Sequence, residues 1–333
     1  MKKQVTLRGS FYLEGIGLHT RVKSRITFHP APENFGYKIK RTDISGQPII
    51  DALAENVVET ERGTALEVNN VRVGTKEHAL AALYACGIDN CLIEIDASEF
   101  PILDGSSILY IKAIKETGIQ KQATERKYIY FPRKKIKVVD KDTNSSLLLI
   151  PSETFSVECN ISFDSALLKR QSARLDHFSD FPKEIASART FVFVKEIRYL
   201  IQKNLIKGGD LNNAIVIYDD ILPQDEYDKL ADIMKVVHKD ASQKGYIMNK
   251  PFIYTNEPAR HKLLDVIGDL ALVGGFIKGK ILANRPGHKI NTRFAKAIRE
   301  YSIAETEKKI QKRKLKKESL NPISGFYWHC PEL

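Results

Sequence analysis

The sequence predicts an α+β fold built from two similar domains, and three observations carry that prediction. Each half of the chain places β-like runs before helical ones. The second half repeats the order of the first. With 333 residues, 43% of them hydrophobic, the chain is long enough to bury a core in each half.

In the first half, "QVTLRGSFYLEGIGLHT" and "VKSRITFHPAP" read as strands, the second stopped by its prolines. "TKEHALAALYACGI" (75–88) reads as a helix, with Thr75 offering an N-cap and Gly87 closing it. "NCLIEIDA" is a strand, and "FPILDGSS" is a loop that opens the helix "SSILYIKAIKETGI". The polar stretch "QKQATERK" (120–127) reads as a linker, dividing a first domain, 1–122, from a second, 123–305. In that second half "KYIYFPRKKIKVVD", "SSLLLIPSETFSVECNISFD" and "SARTFVFV" are β-rich. "KEIRYLIQKNL", "YDKLADIMKVVHKDA" and "ARHKLLDVIGDL" are helical, and a long basic helix begins at "INTRFAK" and runs into a Lys-rich tail, 306–333.

Composition narrows the function classes. No stretch approaches the ~18 uninterrupted apolar residues of a spanning helix, and the opening lacks the apolar core of a secretory signal. Four cysteines at irregular spacings, with no C-x-x-C, fit free thiols in a reducing cytosol, so a cytoplasmic location is expected. The net charge is +11, shared between the tail, with seven Lys and Arg against three Glu, and a basic body. Nucleic acid, an anionic lipid surface and phosphorylated small molecules all suit such a charge, and composition does not choose among them.

The chemistry-bearing residues lie in short separate stretches. "ARHKLLDVIGDL" (259–270) sets His261, Asp265 and Asp269 four residues apart, in one stripe of a helix roughly 80° wide. A solvated polar face and half of a metal site both satisfy that spacing. His261 and Asp265, at i and i+4, can reach one metal ion, and His78 from another helix could complete the three protein ligands that catalytic zinc uses. Glu77, adjacent to His78, would then be placed for base catalysis, although the spacing is not H-E-x-x-H. In "NRPGH", Gly287 frees the backbone to present His288 on a loop as an acid near pH 6.5. Thr190 in "ASARTFVF" brings a hydroxyl into an apolar strand. His238 and Asp240 fall on opposed helix faces and read as surface.

The Glu77-His78 helix, "GIDNCLIEID", "FPILDGSS", "SARTF", "RHKLLDVIGDL" and "PGH", with "GIGLHT" near the start, occur in an order that resembles the UDP-3-O-acyl-N-acetylglucosamine deacetylase family, from about residue 3 to about residue 300. The resemblance implies two domains, each a sheet layer and a helix layer, packed helix layer to helix layer with the site between them. Inserts would shape a hydrophobic passage for an acyl chain. It implies one Zn²⁺ per chain on His78, His261 and Asp265, with Glu77 as general base and His288 as general acid. Thr190 would stabilise the oxyanion, Lys262 and Asp269 would belong to the polar surroundings with Asp269 behind His288, and Phe191, Gly63, Thr64 and Arg285 would face the substrate. That substrate would be an acylated UDP-sugar, committed by deacetylation to lipid A synthesis. No nucleic acid is implied, the expected state is a monomer, and peripheral contact with the inner membrane surface is compatible with the basic charge. Lys76 and Arg21 depart from the family pattern, which has an aliphatic residue and glycine there. Two competing readings are a basic RNA- or membrane-surface-binding protein and a family member with lost or altered activity.

Overall fold

The computed structural model describes residues 2–197 and 210–320, the last eight of these by backbone alone. The first half runs β1 (Lys3–Leu7), β2 (Phe11–Ile16), β3 (Lys23–Pro30), β4 (Tyr37–Arg41), β5 (Ile49–Asp51), β6 (Val57–Glu59), β7 (Ala65–Val68), β8 (Val71–Val73), α1 (Glu77–Ala85), β9 (Cys91–Ile95), α2 (Ile108–Thr117) and β10 (Ile119–Glu125). The second half runs β11 (Tyr128–Tyr130), β12 (Ile136–Asp140), β13 (Ser145–Ile150), β14 (Phe155–Ser162), β15 (Arg170–Leu175), β16 (Thr190–Phe193) and β17 (Ala214–Tyr218). It continues with α3 (Gln224–Met234), β18 (Gly245–Ile247), α4 (Glu257–Leu270), β19 (Phe276–Asn284) and α5 (His288–Leu320).

The two halves share one sheet topology. The first orders its strands β2-β3-β9-β4-β5 and the second β12-β13-β19-β14-β15, so in each the last strand threads between the earlier pairs. β9 lies antiparallel to β3 and parallel to β4; β19 lies antiparallel to β13 and parallel to β14. Alternate residues of β9, β13 and β14 are buried, the period-two signature of a sheet with one face on a core.

Between the sheets, α1 packs on α4, helix layer against helix layer. All nine residues of α1 are buried, which its small residues Ala79, Ala81, Ala82 and Ala85 permit. Gly268 sets the closest approach, because a Cβ there would fall 2.2 Å from the Glu77 carbonyl oxygen. Leu80 and Leu83 of α1 meet Leu263, Leu264, Val266 and Ile267 of α4 in one cluster at 0% exposure. Burial of each is worth about 1.5–3 kcal/mol. A second, smaller cluster gathers Val216, Tyr218, Tyr227 and Leu230 around β17 and α3.

Two sequence expectations are corrected. Residues 120–127 are not a free linker; most of them form β10, paired antiparallel with β1. Thr75 does not cap α1 but takes a left-handed φ of 56°, and its hydroxyl goes to Glu99 instead. The expected helix 195–205 falls mostly outside the described residues, as does the chain end from 321. Among the described residues, no helix is long and apolar enough to cross a membrane.

Candidate metal centre and active site

The start of α1 and the polar face of α4 meet at one point. His78, His261 and Asp265 each offer one ligand atom there, all within 4.8 Å of one another. His78 Nε2 lies 3.9 Å and His261 Nε2 3.5 Å from the same Asp265 Oδ1. That is the scale of separation between ligands sharing one ion at bonds of about 2 Å. The His261 ring is fixed through Nδ1, 3.0 Å from the Ala188 carbonyl oxygen, which leaves Nε2 facing the cluster. Burial pushes the His261 imidazole down to about 4, against the pull of Asp265, so it is neutral with a lone pair to give. Burial alone would raise Asp265, but Lys262, His261 and His288 hold it well below the usual carboxylate range. Two imidazoles and a carboxylate, all buried, match the donor chemistry of zinc.

The candidate acid and base stand beside these ligands. Glu77, 3% exposed, turns Oε1 to within 3.8 Å of His288 Nε2. His288 is not on a loop, as the sequence suggested, but is the first residue of α5. Its Nδ1 lies 2.9 Å from Asp269 Oδ2. Burial would lower His288, yet Asp269 and Asp265 raise it to about 9. Asp269, at 0% exposure, also accepts from the Thr64 hydroxyl at 2.7 Å and from Asn291 Nδ2 at 3.0 Å. Lys262 donates to Asp265 Oδ2 at 3.1 Å; burial opposes its charge, but Asp265 keeps it above the ordinary lysine value.

The other expected residues are distributed around this centre. The Phe191 ring faces the His261 ring at 6.4 Å, with Lys262 Nζ 5.8 Å from its centroid. Thr190 opens β16 two residues after Ala188, its N–H donating to Gly105 at 2.9 Å. Gly63 flanks Glu77, since a Cβ there would come within 3.1 Å of Oε1. The Thr64 N–H points to Glu77 Oε2 at 3.4 Å. Arg285 is exposed on the turn before His288, with a φ of 49°, and takes no part in the cluster's ion pairs and hydrogen bonds. His238 is exposed and pairs with Asp228 and Asp232, but it lies beyond α3, which stops at Met234 rather than running to 241, so it and Asp240 are not on opposed helix faces.

Several supporting residues escaped the sequence reading. Glu99 accepts from the His19 and Thr20 backbone and from the Thr20 and Thr75 hydroxyls, tying the 17–20 loop to the entry of α1. His19 Nε2 is buried near Gly63 without a hydrogen-bond partner among the described residues. Arg189 and Glu257 form a buried pair at 2.8 Å that joins the start of β16 to the start of α4. Asn291 carried one faint signal, its i+3 spacing from His288. Lys76 is fully buried, and burial pushes it down to about 8 against the pull of Glu77 and Asp269.

The chain is similar to known proteins over most of its length. The family model described as UDP-3-O-acyl N-acetylglycosamine deacetylase (LpxC) matches residues 4–239 and 234–300. The chain is 56% identical over 299 residues to the bifunctional enzyme LpxC/FabZ of Porphyromonas gingivalis, covering 90% of this chain and 64% of that protein. Its counterpart in Bacteroides thetaiotaomicron is 54% identical, with 90% of this chain and 65% of that protein covered. The UDP-3-O-acyl-N-acetylglucosamine deacetylase of Teredinibacter turnerae is 38% identical, with 90% of both proteins covered. The chain thus spans less than two thirds of the bifunctional relatives' length.

Proposed function

The chain belongs to the UDP-3-O-acyl-N-acetylglucosamine deacetylase family, and on that premise we propose that it hydrolyses the acetamide of UDP-3-O-acyl-N-acetylglucosamine, the committed step of lipid A synthesis. The products are acetate and the free amine. One observation carries the reading: His78, His261 and Asp265 converge beside Glu77 and the His288–Asp269 pair.

We assign one Zn²⁺ per chain to the three ligands. Bound there, it would supply Lewis acidity to the amide carbonyl and acidify the attacking water. Glu77 takes the proton from that water. His288, kept as the imidazolium by Asp269, donates its Nε2 proton to the departing amine. Thr190 supplies a donor toward the developing oxyanion, where a buried site makes it count for more, and Lys262 belongs to the polar surroundings through its bond to Asp265. Phe191, Gly63 and Arg285 face the substrate, whereas Thr64, expected among them, is fully buried and holds Glu77 and Asp269 instead. Residues 1–122 contribute the Glu-His pair, residues 123–305 contribute the rest, and the tail 306–333 is given no role. The enzyme works as a cytoplasmic monomer that touches the inner membrane surface, where an acylated sugar nucleotide is held.

Metal analysis paired with an acetate-release assay on wild type and Glu77→Ala tests the proposal. The expected result is about one zinc in both proteins and turnover only in the wild type. A wild-type protein that binds no divalent metal and leaves the acylated UDP-sugar intact would overturn it.

A further inference from the structure

Lys76 is the one lysine among the described residues whose side chain is buried to 0%. Its stem does not carry the ammonium out to water, as buried lysine stems usually do. Instead Nζ donates to the Thr64 carbonyl oxygen at 2.5 Å and faces the charges of Glu77 and Asp269. Thr64, itself at 0% exposure, is a three-way junction. Its carbonyl goes to Lys76, its N–H to Glu77 Oε2 at 3.4 Å and its hydroxyl to Asp269 Oδ1 at 2.7 Å. The two carboxylates that junction holds are the candidate base and the partner of the candidate acid.

An ammonium in such a place is costly. Taking it out of water carries a penalty that one hydrogen bond to a carbonyl does not offset. A methionine would fill a similar volume with no charge to bury. What the lysine adds is a cation behind the site. Three buried carboxylates, Glu77, Asp265 and Asp269, are then faced by three cations, Lys76, Lys262 and His288.

We propose that Lys76 is a positioning residue: it anchors the Thr64 junction, so that Glu77 and Asp269 keep their orientations, and it supplies the charge that balances them from behind. The proposal rests on the deacetylase reading for its kinetic consequence alone. Its electrostatic consequence concerns the metal ligands and is independent of turnover, because a cation behind the site repels a divalent ion held on His78, His261 and Asp265.

Lys76→Met separates these effects from plain packing. Zn²⁺ affinity of the metal-stripped full chain is measured by competition with a chromophoric chelator, alongside thermal unfolding. The variant is expected to melt no lower than wild type and to bind Zn²⁺ several-fold tighter. With the acylated UDP-sugar, its kcat falls about 10- to 100-fold while KM stays within about threefold, as when a reacting group is misaligned rather than removed. Lys76→Met and Asp269→Asn are also expected to be non-additive, the double variant losing clearly less than the product of the single losses. Zn²⁺ affinity that falls together with the melting temperature would make Lys76 a packing residue and overturn the proposal. Unchanged Zn²⁺ affinity would overturn it as well, as would unchanged kcat in an active enzyme. A wild-type chain inert toward the sugar nucleotide refutes the deacetylase reading, and the Zn²⁺ measurement still decides the role of Lys76.

Discussion

Replacing Asp269 with asparagine should remove the alkaline half of the enzyme's working range. Asp269 is fully buried and meets His288 Nδ1 at 2.9 Å. It is the strongest influence raising the imidazole, which burial would otherwise lower, to about 9 from an ordinary 6.5. That difference amounts to about 3 kcal/mol of preference for the imidazolium. Asparagine keeps the volume and an acceptor for Thr64. It removes the charge, and toward His288 and Asn291 it presents an amide nitrogen that cannot accept. The imidazole then falls to its ordinary value or below. Because the reaction needs the protonated form, activity is lost as pH rises through the His288 value. The falling limb should move from about pH 9 to about pH 6.5 or below, with a loss on the order of 30-fold or more at pH 8. The assay is kcat/KM for acetate release between pH 5.5 and 10, with metal content measured in each sample. An Asp269→Asn enzyme that holds its metal and shows the wild-type alkaline limb would refute the role given to the His288–Asp269 pair.

Other outcomes follow from the same geometry. Glu77→Ala should retain metal and lose about 10²- to 10⁴-fold in kcat, the span of a general base; metal loss in the same protein would count against the assignment. His261→Ala and Asp265→Ala should each leave the chain with little bound zinc by elemental analysis after dialysis, since each removes one of three protein ligands. In the metal-free protein, His261 is lowered to about 4, so its contribution is present above 6.5 and is lost as pH falls toward 4. His288 is raised to about 9, so its contribution is present below 6.5 and is lost as pH rises toward 9. Together they place a stability maximum near pH 6.5, to be checked by urea unfolding across that range, and a curve rising steadily from 6 to 9 would contradict it. Gly268→Ala should destabilise by about 3 kcal/mol, the upper end for overpacking, because its methyl would press on the Glu77 carbonyl 2.2 Å away. A melting temperature equal to wild type would show that α1 and α4 can separate freely.

That His261 and Asp265 share one face of α4 was legible because their i, i+4 spacing survives any packing of the helix; that this face meets His78 was not, since the spacing suits a solvated stripe equally well. The duplicated strand-then-helix order was legible as well, and the shared topology of the two sheets agrees with it. β10 was misread because its residues are mostly exposed, so the apolar alternation that marks a strand is absent and pairing with β1 alone defines it. Thr75 was misread because its hydroxyl is claimed by Glu99, 24 residues away, before any helix end can use it. The Thr64–Asp269 bond joins residues 205 apart, and no local pattern announces such a partner. Lys76 stood out in the sequence only as a charge where the family has an aliphatic residue; its burial is a property of the packed interface.

The matching sheets bear on how the candidate site is divided between the two halves. α1 immediately precedes β9 and α4 immediately precedes β19, and those are the strands that thread the middle of the two sheets. α1 and α4 therefore occupy the same place in a repeated unit and pack on each other much as two subunits meet across an isologous dimer contact. In a dimer of identical chains, every change at such a contact appears twice. Joined in one chain, the two units can differ, and here one carries Glu77 and His78 while the other carries His261, Asp265 and Asp269. A candidate base on one side and the partner of a candidate acid on the other is an arrangement that strict symmetry would forbid.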